Sequence, residues 1–154
     1  MMKHLITYLW LLVASVAFSS CTQNGGDIGS WFGTWTISSV TVDGTVVPPP
    51  AGSYYSVQFQ GEIVQVTITN DRHDPYTTTY GNWSHDGDQM QWLFPEENMY
   101  FVPLPGMTRV NKFTILEKSG KRVRLQQVAD TGVTYIYTLT KLCLLYTSPS
   151  PRDS

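Results

Sequence analysis

The segment Tyr54-Tyr55-Ser56-Val57-Gln58-Phe59-Gln60-Gly61-Glu62-Ile63-Val64-Gln65-Val66-Thr67-Ile68-Thr69 decides the fold class. Apolar and polar residues alternate through it with period two, as in a strand with one face in a core. Tyr55, Val57 and Phe59 share one face, and Tyr54, Ser56 and Gln58 the other. Gly61-Glu62 interrupts the pattern. It resumes with Val64, Val66 and Ile68 set against Gln65 and Thr67. Two such runs joined by a short Gly-containing turn predict an antiparallel hairpin.

The same alternation extends to both sides. Upstream, a strand is expected over Phe32–Val42, with Trp35 and Ile37 on one side and Val40 and Val42 on the opposite parity. A bulge near Ser38-Ser39 would bring all four to the core face. Asp43-Gly44 reads as a turn. Pro48-Pro49-Pro50 cannot donate to a ladder, so Val46–Ser53 is expected as a stiff loop. Downstream, Asn70–Pro75 is a polar loop, and strands are expected over Tyr76–Ser84 and Gln89–Phe94, joined by a tight turn at Asp86-Gly87. Pro95–Met107 is a long loop. Three further strands follow over Val110–Glu117, Arg122–Val128 and Val133–Lys141. Eight strands with mostly short connections predict an all-β, eight-stranded antiparallel up-and-down barrel, because closure removes both sheet edges.

Composition agrees. Charged residues make up 14% of the chain, aromatics 13%, and Gly and Pro number 12 and 9, a profile of a β-rich extracytoplasmic domain. The net charge of −2 provides no footprint for nucleic acid. The chain reads as one monomeric domain with appendages at both ends.

Residues 1–20 read as a signal peptide. Lys3 and His4 precede an apolar run, Leu5–Phe18, which at 14 residues is short for a bilayer span of roughly 20. Small residues Ser19-Ser20 then lead to Cys21. This order resembles the lipobox of bacterial lipoproteins, with Phe18 where Leu is usual. The resemblance implies that the signal is cut before Cys21, whose sulfur carries a diacylglyceryl group. It also implies a bacterial envelope location at the outer membrane, facing either the periplasm or the exterior. Residues 21–30 are a Gly- and Asn-rich tether. With Cys21 acylated, Cys143 has no disulfide partner. Residues 143–154 break the strand pattern and closely resemble adapter read-through, so the folded domain is expected over 31–142.

Gly33-Thr34-Trp35 opens the first strand. Together with the lipobox, the tether and the eight strands, it resembles the lipocalin-like lipoproteins of bacterial envelopes. The resemblance implies that Gly33 and Trp35 close one end of the barrel, with an Arg from a late strand packed across the Trp. Arg124 fits that place best and Arg122 second. It further implies a small apolar ligand at the opposite, open end. The family's Asp-plus-basic motif in a late turn has no clear counterpart here.

Phe59, Trp92, Phe94, Phe113, Tyr135 and Tyr137 either line a ligand cavity or fill the core. The loop Pro95–Met107, with Tyr100 and Phe101, is either a lid or contact surface, or a segment folded back on the barrel. Asp71-Arg72-His73-Asp74 and His85-Asp86-Gly87-Asp88 lie at opposite ends of one strand, so they read as turn chemistry and no metal site is assigned. No nucleophile motif, zinc motif or phosphate loop is present, and neither an enzyme activity nor a cofactor is expected.

Overall fold

The computed structural model describes residues 29–69, 77–97 and 104–142. The signal, Cys21, Tyr100, Phe101 and the segment from Cys143 onward lie outside the described residues. Alternation becomes strand throughout: β1 (Gly33–Val42), β2 (Thr45–Val47), β3 (Tyr54–Gln60), β4 (Ile63–Thr69), β5 (Thr77–Asp86), β6 (Gln89–Leu93), β7 (Val110–Lys118), β8 (Arg122–Val128) and β9 (Thr134–Lys141). Every neighbouring pair is antiparallel, and β9 returns to pair with β1, closing an eight-stranded barrel.

The remaining strand, β2, is absent from the sequence reading, which has a loop from Val46. Its cause is the Asp43-Gly44 turn. Both residues are left-handed, with φ of 47° and 82°, the pair that a two-residue hairpin turn requires. The chain therefore folds back at once, and Thr45–Val47 pairs with Val40–Val42 before Pro48 ends the ladder. The same turn fastens the barrel seam. Asp43 N–H donates to the Thr134 carbonyl at 2.8 Å, and Thr134 N–H donates to Asp43 Oδ1 at 2.9 Å.

The β1–β9 register slips between Ile37 and Ser39. This bulge lets Trp35, Ile37 and Val40 all face the core despite their mixed parity. Its second effect concerns the other edge of β1. That edge pairs with β3 only over Gly33–Thr36 and then with β2 from Val40. The two strands part between Ile37 and Tyr55.

Antiparallel order sorts the connections into two rims. One rim collects the short turns at Gly61-Glu62, Gly87-Asp88 and Ser119–Lys121, together with the incoming chain at Gly29–Phe32. The other collects Asp43-Gly44, the Pro48–Ser53 connection, the return leg Leu104–Arg109 and the turn after Val128. Between them, the inward faces form one continuous apolar core that includes Trp35, Val57, Val64, Trp92, Leu125 and Leu139.

Candidate functional site

The inward aromatic rings meet one another along the barrel interior. Trp31 and Phe59 have centroids 5.7 Å apart, Phe59 and Trp92 5.8 Å, Trp92 and Phe113 4.7 Å, and Phe113 and Tyr137 5.7 Å. All four contacts are edge-to-face, the favoured geometry for such pairs. The buried Trp92 N–H is satisfied by the Met90 sulfur at 3.1 Å. Phe59, Trp92, Phe113 and Tyr137 are thus placed as core packing between the two rims.

Phe94 is also buried, against Gly81. A Cβ at Gly81 would stand 2.5 Å from the Leu93 carbonyl oxygen and 2.7 Å from the Phe94 ring. Only glycine lets this ring lie on the strand. Tyr135 is half-buried and packs against Gly106 in the same way. A Cβ there would meet the Tyr135 ring at 2.5 Å, and the φ of +77° independently favours glycine.

At the short-turn rim, Trp31 crosses the barrel mouth. Its ring lies 5.9 Å from Trp83 and 5.8 Å from His85, and the Lys118 ammonium sits 4.4 Å above it. Trp35 lies beneath, its indole N–H donating to the Trp31 carbonyl at 2.9 Å. The cation next to Trp35 is Lys141, 5.3 Å from the ring centroid. This corrects the expectation for Arg124. That residue alternates with inward Val123 and Leu125, so it points outward, where it pairs across the ladder with Glu117 and Thr138. Arg122 shares the outward parity and lies near Glu117 at 4.0 Å.

The long-loop rim holds the end of the long connection. Leu104 and Met107 are buried in the core cluster. Three inward polar side chains secure the segment Pro105–Thr108. Tyr137 O–H donates to the Pro105 carbonyl at 2.6 Å, and Gln127 Nε2 donates to that of Gly106 at 3.0 Å. Asn111 is fully buried and bonds Thr108 reciprocally. It accepts from the Thr108 N–H at 2.8 Å and donates to its carbonyl at 2.6 Å. Of the two sequence readings for this loop, its described part follows the one folded back on the barrel. Burial, with Tyr135 beside it, pushes the Tyr137 hydroxyl far above the usual phenol range, so it remains a donor.

Beside this segment, where β1 and β3 part, lies a cleft of about 350 Å³. Ile37, Val40 and Tyr55 form its floor, Val47 and Pro48–Pro50 one wall, and Pro105 the other; Ser39 lines it as well. None of these side chains is charged. Burial raises the Tyr55 hydroxyl above its ordinary value, which keeps it neutral. Such a lining can hold an apolar molecule by contact and offers two hydroxyls, Ser39 and Tyr55, as polar handles. Sequence reasoning missed this site because it is built from a bulge, a hairpin and a proline run that sequence reading treats separately. It also missed Trp31, Lys141, Asn111 and Gln127. For Asn111 and Gln127, inward parity on strands otherwise apolar inside was the available signal.

No protein-family model and no curated protein matches the chain. Solved structures do share its fold. One is a lipocalin-like protein from Bacteroides uniformis ATCC 8492, 18% identical, with a TM-score of 0.59 over 74% of this chain and 100% of that one. Another is an uncharacterized protein from Bacteroides eggerthii DSM 20697, also 18% identical, with a TM-score of 0.54 over 73% and 99% of the two chains. At that identity the likeness speaks for architecture: this chain folds as a closed antiparallel barrel similar to lipocalin-like proteins.

Proposed function

We propose that the protein is a lipid-anchored envelope binding module that takes a small apolar molecule at its long-loop rim. The cleft between β1 and β3 carries this reading, because its lining side chains are apolar apart from the neutral hydroxyls of Ser39 and Tyr55. The ligand is placed beside the barrel axis, since aromatic rings fill the axis itself. Titration of the Gly26–Leu142 unit with an environment-sensitive apolar dye tests it. Saturable fluorescence enhancement is expected, and Ser39→Trp, which fills the cleft from its edge, should remove it. Enhancement that survives Ser39→Trp unchanged moves the ligand elsewhere; no enhancement at all sinks the reading.

The anchor is proposed from the order of Lys3, the apolar run, Ser19-Ser20 and Cys21. Acylation at Cys21 gives several buried chains and hence stable membrane attachment. Cys21→Ser should release the protein from the membrane fraction. Retention there would assign attachment to something other than lipid.

A second reading, a filled barrel that binds a protein partner, is favoured by one observation. Ile63, Leu93 and Val110 are exposed in a row across β4–β7, joined through Asn82, with exposed Tyr80 alongside. Capture of an envelope protein that is lost in Tyr80→Ser/Leu93→Ser, together with silence toward apolar dyes, would select it.

A further inference from the structure

We propose that the short-turn rim faces the bilayer and that its basic side docks on anionic phospholipid headgroups. The orientation rests on the anchor reading above; the surface itself is argued from charge and topology.

The chain has ten Lys and Arg residues. Five of them, Lys118, Lys121, Arg122, Arg124 and Lys141, gather on the β7–β8 turn and the adjoining ends of β7, β8 and β9. The register puts them there. Lys118 pairs with Val123, Arg122 pairs with Thr140, and the Lys141 N–H donates to the Lys121 carbonyl at 2.9 Å. Glu117 is the one carboxylate on these elements, and it lies 4.0 Å from Arg122. Two aliphatic side chains nearby are exposed as well, Leu116 of β7 by 43% and Leu142, just past the end of β9, by 48%. Clustered cations with neighbouring exposed aliphatics suit an anionic lipid interface, where headgroup phosphates meet the charges and the aliphatics enter the boundary region.

The rim is polarised. Glu62, Asp86 and Asp88 occupy the β3–β4 and β5–β6 hairpin ends, where the Asp88 carbonyl accepts from the Ile115 N–H of β7 at 2.7 Å, while the basic residues hold the β7–β9 side. A barrel docked through this rim therefore tilts with β7–β9 toward the membrane. The incoming chain points the same way, because it reaches the barrel at Gly29–Trp31 on this rim. Seven residues, Thr22 to Ile28, separate Cys21 from Gly29, a reach of at most about 29 Å. Anchored lipid and basic corner then act on one surface, and the cleft at the opposite rim is left facing away from it.

Cosedimentation of the Gly26–Leu142 unit with lipid vesicles tests this, since that unit forms its own compact body and lacks the acylation site. Binding is expected to vesicles that are one-third phosphatidylglycerol and not to pure phosphatidylcholine, and should vanish at about 0.5 M NaCl. Lys121→Glu/Arg122→Glu should weaken it by about thirty-fold. Lys112→Glu, on the outer wall of β7 away from the corner, should leave it unchanged. Equal binding to both vesicle types overturns the proposal, as does an equal loss with Lys112→Glu. Retention on an acidic polypeptide without vesicle binding reassigns the corner to a protein partner and also overturns it. Loss of the anchor is read separately, from fatty-acid labelling of the full chain with and without Cys21→Ser.

Discussion

Tyr137 and Pro105 are joined by a 2.6 Å hydrogen bond from the phenol to the backbone carbonyl, across 32 residues of sequence. The bond links the last ring of the aromatic column to the segment that closes the long-loop rim. A carbonyl tucked into a barrel mouth needs a donor, and Tyr137 supplies it from the opposite wall. The rim on this side is therefore ordered by the core beneath it.

Tyr137→Phe leaves the Pro105 carbonyl without that donor and should cost about 1–3 kcal/mol in chemical denaturation. The substitution also has a pH signature. The folded state holds the phenol proton above the ordinary phenol value of about 10, so this group's contribution is fully present below pH 10. It is lost as pH rises further, at up to about 1.4 kcal/mol per pH unit for one proton. Wild type and Tyr137→Phe should therefore run parallel from pH 7 to 9 and converge above 10. Curves that stay parallel throughout would place the phenol in water.

Gly81 and Gly120 separate close packing from mere flexibility. Gly81→Ala drives a methyl into the Leu93 carbonyl, a backbone atom that cannot swing aside, and into the Phe94 ring. It should cost about 1–3 kcal/mol. Gly120 has open space where its Cβ would stand and no left-handed φ, so Gly120→Ala should change stability by less than about 0.5 kcal/mol. Thermal melts of both variants decide the matter; similar shifts would undo the account of Phe94 packing.

Strand placement was legible because each strand of a barrel has one wet face, and alternation records which residues lie on it. The bulge was legible for the same reason, since Trp35, Ile37 and Val40 can share the core only if one residue is skipped. What alternation does not record is which inward residues from distant strands converge. Arg124 illustrates this: its strand was correct, but the parity of Val123 and Leu125 turns it away from Trp35, and the nearby cation comes from the last residue of β9. The cleft failed to show for a related reason. Its outline depends on where β1 leaves β3, and pairing extent is a property of two strands together.

Lys141 should accordingly matter to Trp35 where Arg124 does not. Lys141→Ala removes a cation near the ring and should cost about 0.5–1 kcal/mol, with a small change in Trp fluorescence. Arg124→Ala should stay within about 0.5 kcal/mol, since its nearest charge across the ladder is on an exposed face. The reverse order in urea titrations would restore Arg124 to the barrel end.

Trp31→Ala tests how independent the two rims are. Trp31 is 3% exposed and touches Phe59, Trp83 and His85, so its removal opens a large void at the short-turn rim. A loss of about 3–5 kcal/mol is expected. The cleft at the opposite rim shares no side chain with Trp31: its lining comes from β1 between Ile37 and Val40, the Val47–Pro50 run, Tyr55 and Pro105. Dye affinity, measured under conditions where the variant is still folded, should therefore match wild type. Ser39→Trp should show the converse, with affinity abolished and the melting temperature little changed. If Trp31→Ala instead abolished binding while the barrel stayed folded, the ligand would sit at the short-turn rim, and the direction assigned to the barrel would have to be reversed.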